Sequence, residues 1–195
     1  MNSISWAPWE YGLILGTARA DGKVTFFTWM SEDTWEQTEF DAHTGGVNAI
    51  NFAPPTYPTM LHYNQEQNDV MPPRRLVTGG IDNKVKVWTW SEGAKKYEEK
   101  SLEGHQDWVR DVAWCSNIGL QHEMVASCSE DKSVIIWKGN KEGWRNVAQL
   151  KLNCPVWRVG WSVTGQMLAV SCEDNQVLIY KETMENKWET IQKLD

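Results

Sequence analysis

The chain has 195 residues, with 19 Lys and Arg against 26 Asp and Glu, and so a formal net charge of −7. This length suits one domain or part of a larger one, and a hydrophobic content of 41% is enough for a core. The acidic balance argues against a general nucleic-acid or anionic-lipid binder, since both need clustered Lys and Arg. No run of about 18 apolar residues exists to span a membrane, and residues 1–6 lack the features of a signal peptide. We therefore expect a cytosolic or nuclear protein.

Tryptophan is in unusual surplus, with 13 residues spread along the chain, which indicates a repeated structural slot. Four segments share the pattern Asp-x-x-Val-x-apolar-aromatic, which is typical of a turn followed by an alternating β-strand. Each Asp segment follows a short apolar run and precedes a further strand. Each apolar run in turn follows a segment that ends on an aromatic residue. The segments start at Asp21, Asp82, Asp131 and Asp174, and the further strands start near Trp35, Tyr97, Trp144 and Trp188.

In chain order, the pattern predicts four units of four short strands, which we call blades. The first covers residues 1–40 and the second residues 41–102, with an inserted loop at 54–75 that contains five prolines. The third covers residues 103–150 and the fourth residues 151–195. No segment of 12 or more residues has a helical period. The predicted class is therefore all-β.

Two of the units carry the marks of the WD-repeat family, namely His near the start and Trp at the end of the third strand. The resemblance implies a β-propeller, here four four-stranded antiparallel blades forming part of an open six-bladed propeller. In that family a loop His, a strand hydroxyl, a turn Asp and a strand Trp form a hydrogen-bonded tetrad. Two blades match it fully: His43, Thr78, Asp82 and Trp88, and His105, Ser127, Asp131 and Trp137. The first blade keeps only Thr17 and Asp21, and the last keeps only Asp174, with Leu152, Val170 and Tyr180 in the other positions.

The tetrads also bear on catalysis, because His beside Asp and Ser is the composition of a catalytic triad. The same residues recur in two equivalent repeats, where they would satisfy buried polar groups, so we predict a structural role. No nucleophile elbow or phosphate-binding loop is present, and Glu98-Glu99 and Glu130-Asp131 read as surface pairs. We predict no catalytic residues, no cofactor and no metal, and thus no enzyme.

The four cysteines, Cys115, Cys128, Cys154 and Cys172, show no C-x-x-C spacing. Cys128 and Cys172 lie in apolar runs, which indicates small buried side chains. A metal site formed by Cys115, His122 and Cys128 is the alternative.

Several longer segments resemble one group of WD-repeat proteins, the small propeller subunits of the outer COPII vesicle coat. These segments are residues 1–15, 105–114 and 156–171, together with the inserted loop and the last blade. The resemblance implies a non-catalytic scaffold in ER-to-Golgi protein transport. Its partner would be the large α-solenoid outer-coat subunit, which donates a blade by strand addition. The group also occurs in the nuclear-pore Y complex, bound to a nucleoporin, and in a nutrient-signalling assembly. The implied locations are the cytoplasm, COPII vesicles, the endoplasmic reticulum membrane and the nuclear pore.

The chain resembles only the last four of that group's six blades, so we expect a fragment or truncated gene model. Four blades would form an open arc with a bare apolar face on the first blade. Partner contacts are predicted on the last blade and on one loop, at Val177, Ile179, Tyr180, Trp188 and Ile191, and at Trp108 and Arg110. The strand residues could instead be core.

Other WD-repeat adaptors remain as alternatives, since one fold carries many functions. They are a nucleoporin relative, an iron–sulfur assembly adaptor and a ubiquitin-ligase substrate receptor.

Overall fold

Sixteen β-strands form four antiparallel sheets, each made of four strands that follow one another in the chain. They are seen in a computed structural model that describes residues 1–31, 34–55, 73–116, 122–140, 143–185 and 187–194. The first blade contains β1 (Ser3–Trp6), β2 (Ile14–Ala18), β3 (Lys23–Trp29) and β4 (Trp35–Asp41). The second contains β5 (Val47–Phe52), β6 (Arg75–Gly80), β7 (Val85–Ser91) and β8 (Lys96–Leu102).

The other two blades repeat this order. The third contains β9 (Val109–Trp114), β10 (Glu123–Ser129), β11 (Ser133–Asn140) and β12 (Gly143–Lys151). The last contains β13 (Val156–Trp161), β14 (Met167–Cys172), β15 (Val177–Glu182) and β16 (Trp188–Leu194). Among the described residues the one helical element is a 3-10 turn at Trp9–Tyr11. No helix in the described ranges is long and apolar enough to cross a membrane.

The turn between the second and third strands of each blade has the same local design. The aspartate carboxylate accepts a hydrogen bond from the backbone N–H two residues on, as at Asp131 and Ser133, 2.9 Å apart. The residue between them is in the left-handed region, with φ 65° at Asn83, 66° at Lys132 and 62° at Asn175. Gly22, with φ 88°, takes that position in the first blade. This shared turn is why the Asp pattern repeats in the sequence.

Three apolar layers hold the blades together, one between each pair of neighbours. The first layer joins blades one and two through residues such as Phe26 and Trp88, and the second joins blades two and three around Val87 and Ile135. The third joins blades three and four. No core cluster of the described residues joins the last blade to the first. The four blades therefore form an open arc, as the sequence predicted.

Hydrogen bonds from the innermost strands also link neighbouring blades. Asn2 Nδ2 donates to Val47 O and Asn48 Nδ2 donates to Val109 O, both at 2.9 Å. The register of β1 and β5 puts Asn2 and Asn48 at equivalent positions, and the equivalent residue of β9 is Arg110. The contacts between neighbouring blades are called seams. The first two seams thus share a hydrogen bond from an asparagine side chain, and the third seam has arginine at that position.

The all-β class and the WD-type blades predicted from the sequence are confirmed. The division into residues 1–40, 41–102, 103–150 and 151–195 stays a prediction. Two strands extend one residue beyond the predicted end of their blade: β4 ends at Asp41 and β12 ends at Lys151. Most of the predicted 54–75 loop lies outside the described residues.

Candidate functional site

The second blade brings together the four residues predicted as its tetrad. His43 Nδ1 lies 2.8 Å from Asp82 Oδ1, and His43 Nε2 lies 2.8 Å from Thr78 Oγ1. Trp88 Nε1 donates to the same Thr78 oxygen at 2.9 Å. A carboxylate can only accept, so His43 Nδ1 carries the proton and donates to Asp82. His43 Nε2 then accepts from the Thr78 hydroxyl. The bonds therefore run in one direction, from Trp88 through Thr78 and His43 to Asp82.

The third blade repeats this network with serine in place of threonine. Trp137 Nε1 donates to Ser127 Oγ at 2.9 Å, and that oxygen lies 2.8 Å from His105 Nε2. His105 Nδ1 lies 2.9 Å from Asp131 Oδ2. Asp131 also accepts from the Ser133 hydroxyl at 2.6 Å and from the Gln106 backbone N–H at 2.9 Å. Each buried polar atom of the network thus has a partner.

The carboxylates respond to this environment. Burial by itself would raise the pKa of Asp131, but hydrogen bonds from His105, Ser133 and Gln106 outweigh it and hold the pKa well below its usual range. Asp82 shows the same balance, and its pKa is also lowered, chiefly by His43. Both carboxylates are therefore ionised at neutral pH.

These networks differ from a catalytic triad in access. The side chains of His43 and His105 have no solvent exposure, and the hydroxyl of each network is wholly committed to the His and Trp on either side. A substrate has no route to the hydroxyl or to the His nitrogens. The arrangement ties a loop to a strand and a turn within one blade, and the structural role of its residues stays a prediction.

Among the described residues, the first and last blades lack these networks. Thr17 donates to the backbone oxygen of Thr25, and Asp21 pairs with Arg19. In the last blade Asp174 accepts from the backbone N–H of Gln176 at 3.3 Å. Next to it lie two thiols, Cys154 and Cys172.

Cys154, Cys172 and Asp174 form a group that the sequence analysis missed. One ligand-type atom from each lies within 4.8 Å of the others, and no other set of three or more His, Cys, Asp or Glu side chains in the described ranges meets this limit. The alternative site of Cys115, His122 and Cys128 does not meet it. Burial raises the pKa of Cys172 to about 12, with a further contribution from Cys154. Cys115, Cys128 and Cys172 are buried, as predicted for Cys128 and Cys172.

The partner residues predicted on the last blade lie on both of its faces. Tyr180 is 8% exposed and belongs to the core shared with the third blade. Trp188 packs on that core too, with its ring 5.5 Å from that of Trp161. Val177 and Ile179 alternate with Tyr180 along β15, so they occupy the opposite face. Ile191 lies exposed at a bulge in β16.

Val177 and Ile179 thus belong to what we call the end face of the last blade. The strand register adds Met167, Ala169 and Leu194 to this face. Met167 and Leu194 are exposed, and no described sheet covers them. The correction to the prediction follows from alternation. Tyr180 faces inward and offers a partner no surface, whereas its neighbour Ile179 faces the open end of the arc.

The first blade exposes a second apolar face. Ile4 and Trp6 are 58% and 55% exposed, and they pair with Thr17 and Leu15 on the side of the sheet that faces away from the second blade. This is the bare face predicted from the sequence. Both ends of the arc therefore present apolar sheet surface.

A third surface surrounds Arg110, where the loop before β9 meets β13. The guanidinium lies 5.2 Å from the Trp108 ring centroid and 4.6 Å from that of Trp157, and it pairs with Glu130. Trp108 and Trp157 are 43% and 38% exposed. Arg110 thus lies between the third and last blades, at the position that asparagine holds in the first two blades. Trp157 joins the predicted pair. We call these three residues the Trp–Arg–Trp surface.

Comparison with known proteins agrees with this architecture. The family described as "WD domain, G-beta repeat" matches residues 34–89, 96–138 and 144–181, which is well over half of the chain. A "Protein transport protein SEC13" of Cryptococcus neoformans is 40% identical over 98% of this chain and 62% of its own length.

Two further relatives give the same result. A "Protein transport protein sec13" of Aspergillus fumigatus is 40% identical over 100% of this chain and 63% of its own length. A "Protein SEC13 homolog" of Drosophila melanogaster is 40% identical over 96% of this chain and 54% of its own length. The chain thus spans about 54–63% of the length of these three curated relatives. With its repeated sheets and its two Asp–His–hydroxyl–Trp networks, the chain belongs to the WD domain, G-beta repeat family and is similar to SEC13 proteins.

Proposed function

We propose that this chain is a non-catalytic scaffold subunit of the outer COPII coat in protein transport. The observation that carries the proposal is the open arc, whose two ends present apolar sheet faces, in a chain about 40% identical to proteins named for protein transport. Uncovered apolar faces of this kind mark surfaces that bind other proteins. The buried histidine networks add no chemistry that would favour an enzyme.

The end face of the last blade is the proposed site for the partner. A blade supplied by another chain would pack on Val177 and Ile179, as the third blade packs on the opposite side of the same sheet. Such packing buries apolar surface, and each Å² of that surface removed from water stabilises the complex by roughly 25 cal/mol. We propose an α-solenoid outer-coat subunit as the protein that donates this blade. The same face would serve for a nucleoporin of the nuclear-pore Y complex and for a nutrient-signalling assembly.

Exposed Ile191, at the bulge of β16, lies beside this end face and is proposed as a rim contact. The Trp–Arg–Trp surface is proposed as a second contact, because Trp and Arg are enriched where protein interfaces bind most strongly. Vesicles, the endoplasmic reticulum membrane and the nuclear pore are the proposed locations. They follow from the partners, and the chain would be peripheral at each.

The test is affinity purification of the chain, tagged at its C-terminus through a flexible linker, from an extract of its own cells. We expect the unmodified chain to recover a large α-solenoid coat subunit and Ile179→Glu to lose it. Val147→Glu is the matched control, because Val147 is an exposed valine on the outer strand of the third blade, away from both ends of the arc. Recovery of no coat subunit by the unmodified chain, or equal recovery by Ile179→Glu, would overturn the proposal.

A further inference from the structure

The last blade differs from the second and third blades in the side chains at the turn between its second and third strands. In all three blades a valine that begins the innermost strand pairs with the last residue of the second strand: Val47 with Gly80, Val109 with Ser129, and Val156 with Cys172. The aspartate follows two residues later in each case, at Asp82, Asp131 and Asp174. Cys172 therefore occupies the position of Gly80 and Ser129, directly beside the turn.

The second blade shows how close this position is to the histidine network. A Cβ at Gly80 would lie 2.3 Å from His43 Nδ1 and 2.7 Å from Asp82 Oδ1. A side chain at Gly80 would therefore displace the His43 ring, whereas the third blade holds Ser129 at this position with His105 in place. The last blade has Leu152 in the loop position of that His. The Cys172 sulfur lies within 4.8 Å of a carboxylate oxygen of Asp174, the aspartate that this blade retains.

Cys154 completes the group from the other side. It precedes Val156 by two residues, and in the third blade the residue at this position is Asp107, whose backbone oxygen accepts from the Ser129 hydroxyl at 2.9 Å. The two cysteines thus replace a polar contact that joins the same loop to the same strand end. Their sulfur atoms and an Asp174 oxygen lie within 4.8 Å of one another.

The backbone around the three side chains is well fixed. The Glu173 N–H donates to Pro155 O at 3.0 Å, and the Cys172 N–H donates to Gln176 O at 3.0 Å. Asn175, with φ 62°, closes the turn. The loop that carries Cys154 and the turn that carries Asp174 are therefore held in register by hydrogen bonds that do not depend on the three side chains.

We propose that Cys154, Cys172 and Asp174 bind a zinc ion. Two thiolates and a carboxylate are a ligand set that zinc accepts, with water in the fourth tetrahedral position. A zinc–sulfur distance of about 2.3 Å places two sulfur ligands roughly 3.8 Å apart, so the side chains need to move by about 1 Å at most. On binding, each thiol releases its proton to solvent and its sulfur forms a bond to zinc.

The ion would do in the last blade what the histidine networks do in the second and third. It would join the loop before the innermost strand to the turn after the second strand, at the same level of the sheet. Access favours exchange with solvent, because Asp174 is exposed and Cys154 is half-buried, while Cys172 is buried.

The test is titration of the purified, reduced and metal-free 195-residue chain with Co²⁺ and then with Zn²⁺. We expect one Co²⁺ per chain with the sulfur-to-cobalt charge-transfer absorption of thiolate ligation, and displacement of that ion by Zn²⁺. Cys154→Ser should lose this absorption, and Asp174→Asn should weaken binding by at least the roughly tenfold that even an outer-shell change costs at zinc sites. Cys115→Ser is the control, because Cys115 is a buried thiol outside the group, and it should bind as the unmodified chain does.

A second measurement keeps the proposal testable if a variant folds poorly. In the unmodified chain, zinc should protect Cys154 from alkylation and raise the melting temperature, since a ligand of the folded state stabilises it. Two results would each overturn the proposal: no metal bound by the reduced chain, or equal binding by Cys154→Ser.

Discussion

Removal of one hydroxyl, by Ser127→Ala, should destabilise the third blade strongly. Ser127 Oγ is the acceptor for Trp137 Nε1 at 2.9 Å and lies 2.8 Å from His105 Nε2. Ser127 is fully buried and His105 nearly so. The alanine therefore leaves a buried donor and a buried acceptor without partners at once.

The size of the effect follows from these two groups. A buried polar group that loses its partner costs about 1–3 kcal/mol, so two of them give an expected loss of about 2–6 kcal/mol in the free energy of unfolding. The upper part of this range is a large share of a typical domain's stability of about 5–15 kcal/mol. The assay is urea denaturation followed by circular dichroism, with the transition midpoint compared at unchanged slope.

Ser101→Ala is the matched control for Ser127→Ala. The Ser101 hydroxyl is also buried, but it has no hydrogen-bond partner among the described residues. The same chemical change should therefore be neutral or slightly stabilising there, because an unsatisfied polar atom is removed. A loss below about 0.5 kcal/mol for Ser127→Ala, or a loss equal to that of Ser101→Ala, would refute the reasoning.

Three further predictions concern the turns and the seams. Gly80→Ala should cost about 1–3 kcal/mol by forcing the His43 ring off Asp82, whereas Gly93→Ala, with nothing within 4 Å of its Cβ, should leave the urea midpoint unchanged. Stability should fall as the pH drops below about 4. Folding lowers the pKa of Asp131 from an unfolded value of about 3.9, so the ionised carboxylate stabilises the fold above that pH. The stabilisation is lost as the pH falls through the pKa of the folded state. The Asp131→Asn chain should show a shallower fall in an acid titration followed by circular dichroism, and an equal fall would contradict the assignment. Arg110→Ala should lower the melting temperature more at low salt than at high salt, since the ion pair with Glu130 is screened; a salt-independent change would show that ring contact alone matters.

The sequence predicted the blades well because each rests on local patterns. Alternation in residues 131–137 and 174–180 marks the strands, and the tetrads are visible because the same four residue types recur at matched spacing. Which face of a strand packs against the core was harder to predict. Tyr180 and Ile179 are neighbours in one strand, and which of them faces inward depends on the side from which the third blade packs, which no local pattern shows.

The thiol group shows a second limit of the sequence. Cys154 and Cys172 lie 18 positions apart in the numbering, and only the pairing of Val156 with Cys172 brings them together. Trp157 was missed for a related reason, because its contact with Arg110 crosses from one blade to the next. Contacts across seams depend on tertiary packing, and a repeat pattern within blades does not contain them.

Each sheet consists of strands that are consecutive in the chain, and this order has a consequence for biosynthesis. No blade waits for a strand from the far end of the chain to complete its ladder. As the chain emerges from the ribosome, a sheet has all its partners once its own fourth strand has appeared, and it then packs on the blade made just before it. Folding can therefore advance during translation from the first of these four blades to the last, one sheet at a time.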